Sequence, residues 1–166
     1  MPAHKILILM GSASDAEVMR EAAETLASFG VEYRMTVASA HRVPERVERL
    51  VSAARSEGYG AVIAGAGLAA HLAGVCASKT TLPVIGVPLS GGKLVGVDAL
   101  LSTVQMPPGV PVATVGIDNA TNAALLAVQI LAVGDPDLAA RLEEARASGA
   151  NRIEEAAAQL EGTTRS

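Results

Sequence analysis

The 166-residue sequence contains almost no aromatic side chains: Phe29, Tyr33 and Tyr59 are the only ones, and tryptophan is absent. Half of the residues are nevertheless apolar, so the core must be built from Ala, Val, Leu and Ile. Such side chains suit helices packed on a parallel sheet whose two faces are both buried. The lone cysteine, Cys76, cannot form an internal disulfide, which favours a reducing compartment and a cytoplasmic location.

Other features that the chain lacks disfavour whole classes of protein. The formal net charge is −4 and no block of Lys and Arg occurs, whereas nucleic-acid-binding domains usually carry a basic patch. The apolar run Lys5–Met10 is too short to span a membrane and opens too early for a signal peptide. No Cys/His or carboxylate cluster has the spacing of metal ligands. We therefore expect no nucleic acid, membrane or metal partner.

Apolar runs alternate with amphipathic segments along the chain. The runs predict five strands, the first of which, Lys5–Met10, has the continuous apolar pattern of a strand buried on both faces, and the segments between the strands predict helices. This alternation indicates an α/β protein with right-handed crossovers. We predict a three-layer, doubly wound parallel sheet of flavodoxin-like order in one domain, residues 1–166, with a core over about 5–135 and an extra C-terminal helix over about 136–160. The predicted strands are 5–10, 31–38, 61–64, 82–88 and 110–115.

The first candidate site is Ser39–Pro44, which joins the second predicted strand to a helix with Pro44 in its first turn. Ligands of open α/β sheets bind at this carboxyl edge. His41 offers an imidazole, which ordinarily titrates near neutrality, and Arg42 offers a rigid fork for phosphate or carboxylate. For this segment alone, a solvated polar loop is an equally good interpretation.

The second candidate site is Gly11–Asp15, between the first strand and its helix. Unpaired N–H groups at a helix start attract phosphate, Gly11 permits a close approach, and Ser12 and Ser14 add hydroxyl donors. Ser14 and Glu17 have the spacing of a capping box. An ordinary capped helix start is the alternative explanation.

The third candidate site is the glycine-rich stretch Gly65–Gly74, predicted to form a turn that leads into a helix. Its glycines would let main-chain N–H groups approach an anion. His71 lies at the helix start, where local packing is at least as good an explanation as catalysis. The glycine-rich loop 89–97 is predicted to form a lid. Asp98 is placed to cap the helix that follows this loop. Cys76 is predicted to pack in the core.

Taken together, these motifs resemble one family. They are Met10–Asp15, Ser39–Arg42, Ala64–Gly67 with Ala69–Leu72, Asp98–Pro107 and Asn122–Ala127, in order over roughly residues 5–135. The chain resembles the N5-carboxyaminoimidazole ribonucleotide mutase family of bacterial purine synthesis. Several long motifs in sequence are a specific signal, whereas each one alone is weak.

The resemblance implies a reaction that uses no ATP, metal or organic cofactor. The carboxylate on the exocyclic nitrogen of the aminoimidazole ribonucleotide moves to ring carbon C4. His41 is implied to be the general acid and base, with His71 as a second catalytic histidine that mainly positions groups. The resemblance also implies a homo-octamer. Independently, the segment Ala123–Ala132 predicts a helix that is apolar almost all round, and a single domain would leave part of that helix surface uncovered, so we expect an oligomer.

The resemblance further implies which residues bind the ribonucleotide. Ser12, Ser39 and Arg42 match positions that hold the 5′-phosphate, and Asp15 matches one that binds the ribose hydroxyls. The full set of implied substrate contacts is Gly11, Ser12, Ser14, Asp15, Ser39, Ala40, Arg42, Gly65, Ala66, Gly67, Ala69, Ala70 and Leu72.

The chain departs from the family pattern at four positions. The family usually has Gly at Leu68, Pro at Ala73, Ser at Ala99 and Thr at Val43. A valine cannot cap the following helix as threonine would. Leu68 places a bulky side chain beside the loop assigned to the migrating carboxylate.

Four alternatives stay open at this point. A sister enzyme carboxylates aminoimidazole ribonucleotide with free carbon dioxide, but its sequences tend to have Lys where Arg42 stands. A nicotinate-dinucleotide carboxylase that shares this domain carries a reactive cysteine, whereas Cys76 is predicted to be packed. A phospho-receiver needs acidic residues where Gly11 and Ser12 stand. A binding-only relative would keep the phosphate loops and dispense with His41.

Overall fold

The computed structural model describes residues 5–163, so the predicted domain limits at 1 and 166 lie outside the described residues. Five strands form one parallel sheet in the order β2-β1-β3-β4-β5, which confirms the flavodoxin-like order. The strands are β1 (Lys5–Met10), β2 (Glu32–Val37), β3 (Tyr59–Gly67), β4 (Val84–Leu89) and β5 (Ala113–Thr114). The helices are α1 (Ala16–Ser28), α2 (Pro44–Ala54), α3 (Leu72–Ala77), α4 (Val97–Val104), α5 (Ala120–Ala132) and α6 (Pro136–Thr163).

The inner strands β1, β3 and β4 are largely buried on both faces, as apolar strands of a parallel sheet require, whereas the edge strand β2 is exposed or partly exposed along its whole length. Alternate residues of β1 supply the two cores: Ile6 and Ile8 pack with α1 and α5, whereas Leu7 and Leu9 pack with α2 and α3. All four side chains are at most 1% exposed. The three-layer architecture is thus confirmed, and it fixes the carboxyl ends of β1, β2 and β3 at one edge.

Two local predictions near that edge are wrong. The capping box is formed by Ser12 and Asp15 around a 3-10 turn, Ala13–Asp15, and not by Ser14 and Glu17. The early turn arises because the side chain and backbone of Ser12 satisfy the first donors before α1 begins. Gly65–Gly67 is not a turn but the end of β3, because its backbone pairs with Val87–Leu89 of β4.

The start of α4 and the length of β5 also differ from the prediction. Asp98 lies in the first turn of α4, whose N-cap is Gly96 with φ of +89°, a conformation that glycine adopts without strain. The strand predicted over 110–115 shortens to Ala113–Thr114, and its pairing is confined to Ile85 and Gly86 of β4. Pro111 has no N–H to donate, which limits the ladder at this sheet edge.

Each of the two C-terminal helices begins after a capping side chain, and α6 begins where the sequence predicts, at Pro136. Asn119 caps α5 by accepting the Asn122 N–H at 3.0 Å, and Asp135 caps α6 by accepting N–H groups at 3.0 and 3.1 Å. The predicted extra C-terminal helix is present, and its described side chains from residue 150 to residue 162 are exposed. Over residues 5–163, none of the helices combines the length and apolarity needed to cross a membrane.

Candidate active site

A cavity of about 610 Å³ lies at the carboxyl edge of the sheet. Four segments line it: 11–15, 39–42, 66–72 and 90–92. Three of them are the sites predicted from the sequence, so the topology brings those sites together. Two predicted residues stay outside the lining: Ala70 is 1% exposed, and Gly65 packs against Met19, whose Sδ a Cβ at that position would strike. The glycine at position 65 therefore serves helix packing and not a close approach to an anion.

The first segment is organised by Ser12. Its Oγ accepts the Ser14 N–H at 3.4 Å and the Ser14 hydroxyl at 3.0 Å, and its own N–H donates to Oδ2 of Asp15 at 2.9 Å. Burial raises the pKa of the Asp15 carboxyl above its ordinary value, although the Ser12 N–H, the Ser14 hydroxyl and the Arg42 charge each act to lower it. The result is a carboxylate held in place at the cavity wall.

Arg42 joins the first segment to the second. Its Nη2 donates to the Gly11 carbonyl at 2.9 Å, and its Nε donates to Oγ of Ser39 at 3.3 Å. The Ser39 hydroxyl oxygen also accepts the Arg42 N–H at 3.3 Å, and Ser39 is 8% exposed. The guanidinium group itself is exposed. It is therefore positioned by the buried Ser39 and the partly buried Gly11 while it remains accessible to an anion.

The two predicted histidines are in direct contact. Nε2 of His41 lies 2.9 Å from Nδ1 of His71, with the ring planes at 85° and the ring centroids 5.0 Å apart. One ring donates and the other accepts, so each ring keeps a second nitrogen for a ligand. Both side chains are exposed to the cavity. An imidazole held in a defined orientation beside a cavity can transfer a proton to or from a bound molecule.

The turn between β3 and α3 sets the position of His71. Leu68 adopts a left-handed conformation with φ of +54°. Its carbonyl accepts the Ala70 N–H at 2.9 Å, and the Ala69 carbonyl accepts the His71 N–H at 2.8 Å. Helix α3 then starts at Leu72. Leu68, which the sequence marks as a departure, thus forms the corner that aims His71 into the cavity.

The residues of the fourth segment, Ser90–Gly92, also line the cavity, and the sequence assigns them no role. The Ser90 N–H donates to Oδ1 of Asp118 at 2.7 Å, and Asp118 itself has φ of +55°. The glycines of the loop are the available sequence signal, and they predicted a lid without indicating which residues face the cavity.

Two other sequence predictions concern possible reactive groups. Cys76 is fully buried, and burial raises the pKa of its thiol to about 12, which confirms that it packs in the core and is no nucleophile at neutral pH. Among the residues that the structure describes, no group of three or more His, Cys, Asp or Glu side chains is arranged to hold a metal ion.

The fold and the site together define a flavodoxin-like α/β protein whose cavity, at the carboxyl edge of the sheet, is lined by two imidazoles and a guanidinium. The AIR carboxylase family model matches residues 5–152. The chain belongs to the AIR carboxylase family, in agreement with the resemblance found in its motifs.

Individual members of the family show which proteins the chain is similar to. The chain is 55% identical over 142 residues to the N5-carboxyaminoimidazole ribonucleotide mutase of Pyrococcus abyssi, covering 86% of this chain and 82% of that protein. It is 56% identical over 141 residues to the Methanocaldococcus jannaschii protein of the same name, covering 85% and 87%. The crystal structure of Treponema denticola PurE superimposes with a TM-score of 0.86 at 30% identity, covering 94% of this chain and 98% of that chain.

Proposed function

We propose that this chain converts N5-carboxyaminoimidazole ribonucleotide to 4-carboxy-5-aminoimidazole ribonucleotide in de novo purine biosynthesis. The observation that carries the proposal is the 2.9 Å contact between His41 and His71, in the same cavity as Arg42. Its volume of about 610 Å³ lies within the range of small-molecule sites. Both relatives described above carry the name of this mutase.

We assign the phosphate of the substrate to the end of the cavity formed by Ser12, Ser39 and Arg42. Hydroxyl groups and a guanidinium are donors that suit phosphate. Asp15 lies next to Ser12 and is assigned to the ribose hydroxyls, for which a fixed carboxylate is a suitable acceptor. The remaining proposed contacts are Gly11, Ser14, Ala40, Ala66, Gly67, Ala69 and Leu72. Gly65 and Ala70 lie behind the lining and are proposed to shape the wall without touching the substrate.

The imidazole of His41 is assigned both proton transfers. The N–C bond of the carbamate breaks, and its electron pair stays on the exocyclic nitrogen, which accepts a proton from His41. Ring carbon C4 then attacks the released carbon dioxide and forms the new C–C bond. The proton on C4 returns to His41, which restores the aromatic ring. The contact with His71 holds the His41 ring in orientation throughout.

This sequence of steps balances without an external reactant. No electrons are gained or lost overall, and the proton that leaves His41 comes back to it. We therefore propose that the reaction needs no metal, ATP or organic cofactor. It does need a closed site, because carbon dioxide that diffuses away cannot react at C4.

We also propose that the chain acts as a single mutase domain in a cytoplasmic homo-octamer. Exposed apolar side chains support self-association: Val133 is 92% exposed, Ile153 71% and Leu160 72%. A groove of about 390 Å³ between α5 and α6 also contains apolar side chains, among them Leu125 and Leu142. Light scattering behind a sizing column should give about eight times the mass of one chain, and a monomer would contradict the assembly.

The fate of labelled carbon tests the reaction. The enzyme is given N5-carboxyaminoimidazole ribonucleotide with ¹³C in its carboxylate, in unlabelled bicarbonate, and the product is analysed by mass spectrometry. We expect the label to be retained at C4. Loss of the label, with turnover of aminoimidazole ribonucleotide in bicarbonate, would indicate a carboxylase instead. No product from either substrate would favour a binding-only protein.

A further inference from the structure

The backbone of Leu68 is unusual for a bulky residue. Its φ of +54° lies in the left-handed region, where the Cβ of an L-residue crowds the following carbonyl oxygen. Core packing does not compensate for this strain, because the side chain is 55% exposed. Strain that is kept at the wall of a cavity points to a function for the side chain that causes it.

The side chain of Leu68 contacts the loop on the other side of the cavity. We call residues 90–96 the lid loop. A Cβ built on Gly92 would lie 2.7 Å from Cδ2 of Leu68. The two residues are therefore in contact, and only a glycine fits at position 92 without a clash. Gly92 itself has φ of +59°. The contact joins the β3–α3 turn, which carries His71, to the middle of the lid loop.

The two ends of the lid loop are held separately. Its first residue, Ser90, donates its N–H to Asp118 at 2.7 Å. Its last residue, Gly96, fits closely against Ile117, whose Cγ2 would be 2.7 Å from an added Cβ. Between these ends the packing is sparse: a Cβ on Gly91 would meet nothing within 4 Å, and Leu94 is 60% exposed. Leu68 therefore supports the part of the loop that its two anchors do not reach.

We propose that Leu68, which stands where the family usually has Gly, is a positioning residue particular to this chain that holds the lid loop across the cavity and so retains carbon dioxide beside the reacting carbon. The proposal rests on the mutase function proposed above. An aliphatic side chain suits this role, because it closes a gap without offering a hydrogen bond to water or to the migrating carboxylate. A loop held at its middle by one apolar contact can also open to admit substrate and release product.

Two substitutions of Leu68 separate the side-chain contact from the backbone. Leu68→Gly removes the contact, and glycine adopts the local φ readily, so the fold is kept. Leu68→Met keeps an apolar side chain of similar volume that reaches Gly92. A matched control is Gly58→Ala, which places a Cβ at a left-handed position, φ of +84°, with nothing within 4 Å, at the opposite end of β3. It introduces strain of the same kind away from the cavity.

The labelled-carbon assay supplies the main readout. We expect Leu68→Gly to lower the fraction of label retained in the product by about twofold or more, with KM little changed because no proposed phosphate contact is altered. Leu68→Met and Gly58→Ala should retain label as the parent protein does. Full retention by Leu68→Gly would overturn the role of Leu68 and leave the mutase function standing. Loss of label by the parent protein would overturn both.

Hydrogen exchange gives a second readout that does not depend on turnover. In Leu68→Gly the amides of the lid loop should exchange about tenfold faster, while those of the central strand β1 stay unchanged. Unaltered exchange in the lid loop would show that Leu68 does not hold it, whatever the labelling result.

Discussion

Replacing Arg42 by alanine tests the proposed phosphate end of the cavity. In the free protein the guanidinium donates to the Gly11 carbonyl at 2.9 Å and to Oγ of Ser39 at 3.3 Å. It therefore links two of the segments that line the cavity while its remaining N–H groups stay available. Alanine at position 42 removes both the positive charge and this link, so nucleotide affinity should fall.

The expected loss follows from the kind of bond that is removed. A hydrogen bond to a charged group contributes about 1.5–3 kcal/mol, which corresponds to a roughly 10- to 150-fold change in Kd. Because the Arg42 side chain is exposed, solvent screens it, and we expect the lower part of this range. Lysine keeps the charge without the planar fork, so Arg42→Lys should lie between the parent protein and Arg42→Ala.

Calorimetry with two ligands isolates the phosphate contact. The first ligand is 4-carboxy-5-aminoimidazole ribonucleotide, and the second is the same compound without its 5′-phosphate. Arg42→Ala should weaken binding of the first by the factor given above and leave that of the second nearly unchanged.

Arg46→Ala is the matched control for this experiment. Arg46 lies one helical turn further along and donates to the Val37 carbonyl and to Oγ1 of Thr36, both at 3.0 Å, without lining the cavity. We expect its affinity for both ligands to equal that of the parent protein. Equal loss for both ligands in Arg42→Ala would refute the phosphate assignment, because it would show that Arg42 acts only through the shape of the site.

Three further changes have distinct expected outcomes. His41→Asn should lower kcat about 10²- to 10⁴-fold with little change in affinity, and near-normal kcat in steady-state kinetics would remove His41 from proton transfer. Burial raises the pKa of Asp15, so its contribution to stability is present at low pH and lost as pH rises through the raised value. Asp15→Asn should therefore be more stable than the parent protein at neutral pH, with the difference narrowing near pH ~3; urea unfolding that gives a constant difference would contradict this. Gly86→Ala should lower the free energy of unfolding by about 1–3 kcal/mol, since its Cβ would strike Cγ2 of Thr103, and adding Thr103→Ser should restore part of that loss; strictly additive effects in thermal denaturation would argue against the clash.

The sequence predicts most of the fold because the fold depends on burial. A short, uninterrupted apolar run is typical of a strand covered on both faces, and β1 spans the predicted Lys5–Met10. The prediction failed where pairing and not burial sets the length. Gly65–Gly67 joins β3 because its backbone finds partners on β4, although glycine has little preference for strands. At β5 the opposite happens, and only Ala113–Thr114 finds partners.

The parts of the candidate site that consist of neighbouring residues in the sequence were predictable. A histidine, an arginine and a serine at a strand end are visible in the sequence, and the parallel topology brings their loops together. The contact between His41 and His71 joins residues 30 positions apart, so no spacing rule could reveal it. The hydrogen bond between Ser90 and Asp118 was not predicted for the same reason, since these two residues are also far apart in the sequence.

The described residues that adopt left-handed conformations without being glycine are Leu68, Val95 and Asp118. They lie at the carboxyl edge of the sheet: Val95 within the lid loop, Asp118 at its first anchor and Leu68 against its middle. Such conformations persist where surrounding structure imposes them, and here the buried strand β4 and the largely buried strand β3 supply that support. Leu68→Gly removes this strain at the same time as it removes the contact with Gly92. We therefore expect the same substitution to leave the protein as stable or more stable while the lid loop opens more easily, which is the opposition between stability and activity expected of a strained functional site.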